Sequence, residues 1–143
     1  MGAVNLTSAE KHINAALILF SKRPDPDYRN AIKESISAIE SVAKLMNHSK
    51  KDEKDKKVKN LGLQDALNEL RKEIKIHPAL YDSFVKLYGY ASNSDGIRHD
   101  MIEDSDAGFD EAKFMIVSCS AFSTYLLTKA GKANLLNRDL LRT

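Results

Sequence analysis

Along this chain apolar residues return every three or four positions, the period of an amphipathic helix, and nowhere alternate long enough to make a strand. Ile13, Ala16, Leu17 and Phe20 form the first stripe. Thr7-Ser8-Ala9-Glu10 precedes it, a capping box in which the Thr hydroxyl bonds an orphan amide and the Glu carboxylate bonds back. Ser21-Lys22-Arg23 closes it before Pro24. Asp25-Pro26-Asp27 predicts a second start, with an Asp as cap and Pro26 in the first turn, where no amide partner is lost. That helix is expected to run to about Met46 on Ile32, Ile36, Ile39, Ala43 and Met46. Its opposite face carries Asn30, Glu34, Ser37 and Ser41. It reads as a solvated face, or as the wall of a cleft to which Glu34, Ser37 or Glu40 contributes.

Residues 47–60 break the period. Six lysines, Lys50 and Lys51 among them, stand there against three acids, and almost nothing in the segment is apolar. A mobile, solvated loop is the expectation, with a phosphate-contacting arm as the alternative. Leu63, Ala66, Leu67 and Leu70 then mark a short helix, and His77-Pro78 starts another that carries Leu80, Phe84, Leu87 and Tyr88 inward. The last long helix should run from near Asp110 to about Lys129, with Gly131 as its stop. Apolar residues surround most of it, which predicts that it is the central element. Small hydroxyls within it, Ser123 and Thr124 among them, are expected to bond the carbonyls of the preceding turn. Leu135-Leu136 and Leu140-Leu141 suggest a short terminal helix, while residues 1–6 carry no pattern and are expected to be disordered or an expression remnant.

The expected architecture is therefore all-α, a single domain over residues 1–143 built as a bundle of four main helices plus a short C-terminal helix. Composition changes this picture little. A chain of 143 residues buries enough surface to fold without staples, and the lone Cys119, set in an apolar run, gives neither a disulfide framework nor a metal pair. A net charge of +2 makes no case for non-specific nucleic-acid binding, so such binding would need a local basic patch. The early apolar run from Ala15 to Phe20 is too short to span a membrane. A cytoplasmic protein with no membrane partner is expected. The apolar surround of the last long helix and the leucine pairs exceed what four helices cover, which predicts a homodimer.

Chemistry concentrates in Ser92-Asn93-Ser94-Asp95-Gly96-Ile97-Arg98-His99-Asp100, a polar turn between two helical segments. Turn-forming propensity accounts for Asn93, Asp95 and Gly96 but not for Arg98-His99. An imidazole titrating near neutrality serves as acid or base, and a guanidinium offers planar donors to phosphate oxygens. A metal-dependent hydrolase would instead recruit His99, Asp100, Glu103, Asp104 and Asp106, although their spacing follows no known metal loop.

Three strings, Asp-Tyr-Arg-Asn-Ala-Ile-Lys-Glu-Ser-Ile-Ser-Ala-Ile-Glu at 27–40, Leu-Tyr-Gly-Tyr at 87–90 and Ser-Asp-Gly-Ile-Arg-His at 94–99, resemble the HEPN superfamily. Within it they are most similar to the abortive-infection type of prokaryotic defence module, over roughly residues 10–130. The resemblance implies a helical bundle that pairs two-fold and, in active members, cleaves RNA without a metal or other cofactor. The signature of this type, Arg-Asn-x-x-Gly-x-x-His-Gly, lays its Asn on Asn93, its Gly on Gly96 and its His on His99. Ser92 stands where the signature has Arg, and Asp100 where it has the final Gly. The resemblance implies His99 and Asn93 as catalytic groups. Arg98, the one arginine of the turn, is the candidate for the missing charge from a neighbouring position, and Ser92, Asp95, the alternative cleft-wall acid Glu40 and the loop lysines Lys50 and Lys51 are the candidate substrate contacts. The partners implied are RNA, a second copy of the chain, and a further domain or protein of a defence system. The replaced Arg leaves a second reading, an inactive RNA- or nucleotide-binding or dimerisation module.

Overall fold

The computed structural model describes residues 7–46, 63–92, 107–134 and 136. They form five helices: α1 (Ser8–Ser21), α2 (Tyr28–Leu45), α3 (Leu63–Glu73), α4 (Pro78–Ser92) and α5 (Phe109–Lys132). The described residues contain no strand beyond a lone antiparallel bridge between Met46 and Leu136. The protein is an all-α bundle, as its periodicity predicts. The charged segment at 47–60, residues 1–6 and the expected terminal helix after Leu136 lie outside the described residues.

The start of α1 follows the capping box: the Thr7 hydroxyl accepts the Glu10 N–H at 3.2 Å, and the Glu10 carboxylate accepts the Thr7 N–H at 3.1 Å. The second helix begins later than Asp25-Pro26 predicts. Asp27 is its cap, one carboxylate oxygen accepting the Asn30 N–H at 3.1 Å and the other the Asn30 side-chain amide at 2.8 Å. Pro26 therefore precedes the helix instead of occupying its first turn, because only Asp27 sits three residues before both donors. These bonds, with the Asn30 side chain foremost, hold the Asp27 carboxyl below its ordinary range. Asp27→Ala should lose about 1 kcal/mol of stability at pH 7. Since the folded pKa is the lowered one, that contribution is complete above about pH 4 and is lost as pH falls through the folded value. Urea titrations of both proteins at pH 7 and pH 3 should show the gap narrowing, and a constant gap would rule out the carboxylate as its source.

Helix α2, and not α5, is the centre. Ten of its 18 residues are buried, against eight of 24 in α5. Ile32, Ile39 and Val42 are fully enclosed, and α1 and α5 both pack along α2. Close approach is possible because Ala16 and Ala31, both fully buried, put only methyl groups between helices. The serines of α2 turn their hydroxyls onto their own helix: Ser35 donates to the Ala31 carbonyl at 2.9 Å, Ser37 to Lys33 at 3.0 Å and Ser41 to Ala38 at 2.7 Å. Ser41 is thus buried, and the polar stripe of α2 is not a solvated face throughout. α5 instead leaves Phe114 and Val117 61% and 62% exposed.

Two smaller differences have local causes. On α4 it is Tyr81 that is buried and Leu80 that is exposed. The Tyr81 hydroxyl donates to the Asn68 side chain at 2.8 Å and its ring lies 4.3 Å beneath the Arg71 guanidinium, so α3 supplies partners that a leucine has no use for. At the other end of the bundle α5 runs past Gly131. The left-handed residue that ends it is Asn134, at φ 59°, with its N–H on the Gly131 carbonyl at 3.2 Å.

Candidate functional site

The elements that bracket residues 92–106 meet at one end of the bundle. α4 runs back along α5, with Phe84 stacked on Phe122 at 3.7 Å between ring centres and tilted against Tyr125 at 5.4 Å. Further along, Leu87 and Tyr90 face Asp110, Glu111, Phe114 and Met115 across a groove of about 800 Å³. The end of α4 and the start of α5 are therefore neighbours. The turn between α1 and α2 joins them there: Phe20, Tyr28 and Phe109 form a ring cluster with centres 5.0–6.1 Å apart. A smaller, more polar pocket of about 430 Å³ opens beside it, where Lys22, Asp25, Asp27 and Arg29 surround Ala107. α5 starts on Gly108, whose N–H donates to the Glu111 carboxylate at 3.2 Å.

Ser92 is the last residue of α4. Asn93, Asp95, Arg98 and His99 lie outside the described residues, as do Lys50, Lys51 and the acidic set at 100–106. Glu40 is half-buried and engaged, about 18 Å along α2 from Tyr28 at the helical rise. What the structure brings together is thus the frame on either side of the polar turn.

One pairing of titratable groups was not legible from spacing within a helix. His12 of α1 and Glu34 of α2 meet at 2.7 Å, Nδ1 to Oε2, each about a third exposed. The register of the helical hairpin makes the contact. Asp27 donates its N–H to the Leu19 carbonyl at 2.9 Å, and stepping seven residues away along each antiparallel helix arrives at His12 and Glu34. A carboxylate on Nδ1 fixes the ring plane and leaves Nε2 as the free nitrogen. The pair joins the two helices and occupies Glu34, so this acid is not an open cleft wall.

Cys119 is wholly buried, and desolvation pushes its thiol up to about 12, which leaves it protonated and unreactive. Beside it the Ser123 hydroxyl donates to the Cys119 carbonyl at 2.6 Å, and Thr124 bonds the Ser120 carbonyl at 3.0 Å, as expected of small hydroxyls in a packed helix. Among the described residues no three His, Cys, Asp or Glu side chains converge as metal ligands, and no helix is long and apolar enough to cross a membrane.

Comparison with models of protein families, with curated proteins and with solved structures finds no match to this chain.

Proposed function

We propose that the chain is a HEPN-like module of a prokaryotic defence system that cleaves RNA as a homodimer, without a metal, using His99 of each copy. The supporting observation is the placement of the helix ends. α4 closes at Ser92 and α5 opens at Phe109 on the same end of the bundle, beside the exposed Phe114. A pairing of two chains near Phe114 would bring the helix ends that bracket their polar turns close to one another. In that arrangement one imidazole takes the proton of the RNA 2′-hydroxyl as its oxygen attacks phosphorus. The other protonates the departing 5′-oxygen, and Arg98 donates to the phosphate oxygens. The products are a 2′,3′-cyclic phosphate and a free 5′-hydroxyl.

The test is single-stranded RNA incubated with the protein in excess chelator. Cleavage to a cyclic phosphate, with no action on DNA or on RNA methylated at the 2′-oxygen, is expected. Activity that disappears in chelator would transfer the chemistry to the acidic residues at 100–106. RNA left intact would favour the second reading, a binding or dimerisation module, which the Ser92 in place of the signature Arg already motivates.

A further inference from the structure

The groove between the end of α4 and the start of α5 carries opposite charges on opposite walls. Its α4 wall presents Lys86, Leu87 and Tyr90 and its α5 wall Asp110, Phe114 and Met115, with about 800 Å³ between them. Tyr90 stands in the last turn of α4 and Asp110 in the first turn of α5, so both belong to the helix ends that bracket the polar turn. Between the charges the lining is apolar. Lys86 and Asp110 are exposed and take part in no hydrogen bond or ion pair among the described residues. Glu111 has one carboxylate oxygen on the Gly108 N–H, which leaves Asp110 as the open acceptor of the α5 wall.

An occupant that answers these features is narrow in kind. It has a flat, largely apolar body to lie against a phenol ring, donors along one edge for Asp110, and an anion for Lys86. A nucleotide has that layout, and the bases differ in the edge they offer a carboxylate. Guanine alone sets two donors side by side, N1–H and the 2-amino group, matched to the two oxygens of one carboxylate. Adenine and cytosine place an acceptor nitrogen beside their amino group, and uracil flanks its single N–H with carbonyls. Each of these turns a lone pair onto the Asp110 charge.

We infer that this groove holds a guanosine residue of single-stranded RNA, its ring against Tyr90, its two donors on Asp110 and an adjoining phosphate near Lys86. This rests on the RNA-cleaving function proposed above and adds a base preference to it. The test reads binding and cutting separately on the whole chain, in chelator. Binding is followed by fluorescence anisotropy of labelled oligouridine that carries one internal guanosine, one adenosine or neither, each 2′-O-methylated so that it is not cut. The guanosine oligomer should bind about tenfold tighter than the other two, within the range for a bidentate base contact. Asp110→Asn, which exchanges one acceptor for a donor, should erase that preference, whereas Glu111→Gln should keep it. Tyr90→Leu should weaken the guanosine oligomer about tenfold through lost stacking. Tyr90 is varied in place of Phe114, whose loss would also act on the pairing of chains. Unmodified oligomers then show whether cuts fall beside the guanosine, as expected. Equal binding of the three oligomers, or a guanosine preference that Asp110→Asn retains, would overturn the inference, and cleavage seen alongside it would leave the ribonuclease standing. A preference that Asp110→Asn erases, with unmodified RNA left intact, would keep the inference and end the ribonuclease reading. Failure to bind any of the three would overturn both.

Discussion

Replacing His99 by Ala is expected to slow RNA cleavage by at least about a hundredfold, the low end for a positioned acid or base. The loss should be in the chemical step, with RNA affinity changed less, because Arg98 and not the imidazole is the proposed donor to the phosphate oxygens. Arg98→Lys should also be slower, since a point charge does not reproduce two parallel donors on a phosphate that gains charge as it is attacked. If the two imidazoles of a dimer act as base and acid, the rate should pass through a maximum with pH, one copy neutral and the other charged at the optimum. A mixed dimer of His99→Ala and wild-type chains separates this scheme from one histidine acting alone. Two-histidine chemistry predicts that the mixed dimer is as impaired as the double variant, while a self-sufficient site would retain half of the wild-type rate. Full activity in the His99→Ala protein would end the proposal.

Helix starts were legible because they are local. Thr7 with Glu10 and Pro78 each satisfy or dispense with backbone donors within one turn, so the residues that set them are adjacent in sequence, while among Asp25-Pro26-Asp27 only the structure picks Asp27 as the cap. Tertiary choices were less so. The ring of apolar residues around α5 suggested the centre of the bundle, but a side chain destined for the core and one left at the surface have the same polarity. Met115 and Val117 differ by two positions on one helix, and the first is buried while the second is exposed. The serines of α2 misled in the opposite direction, since a hydroxyl that bonds its own helix no longer costs burial. The His12–Glu34 contact joins residues 22 apart and depends on the length of the turn between helices, a quantity periodicity does not carry. The candidate site was legible only as a string of residue types at 92–100. Of that string the structure fixes the frame, Ser92 ending α4 and α5 opening two residues after Ala107.

The second large effect concerns α2. Ile39 is fully enclosed within the main core, whose members come from all five helices. Ile39→Ala removes three carbons from a site that cannot collapse from any side, and should cost about 2–5 kcal/mol. Against a total stability of about 5–15 kcal/mol this is a large fraction, and at this chain length it corresponds to a fall in melting temperature on the order of 10 °C. Phe114→Ala deletes more carbon from α5 but from a side chain 61% in solvent, so the folded chain itself should lose little. Its effect should instead appear as a loss of the concentration dependence of melting, because a dimer is stabilised by mass action and a monomer is not. Thermal unfolding of both variants at two protein concentrations, followed by far-UV circular dichroism, distinguishes the roles. The α2 variant should melt low at either concentration, and the α5 variant should melt at one temperature whatever the concentration. Equal losses for the two would mean that α2 and α5 share the core equally and that Phe114 is packed within its own chain.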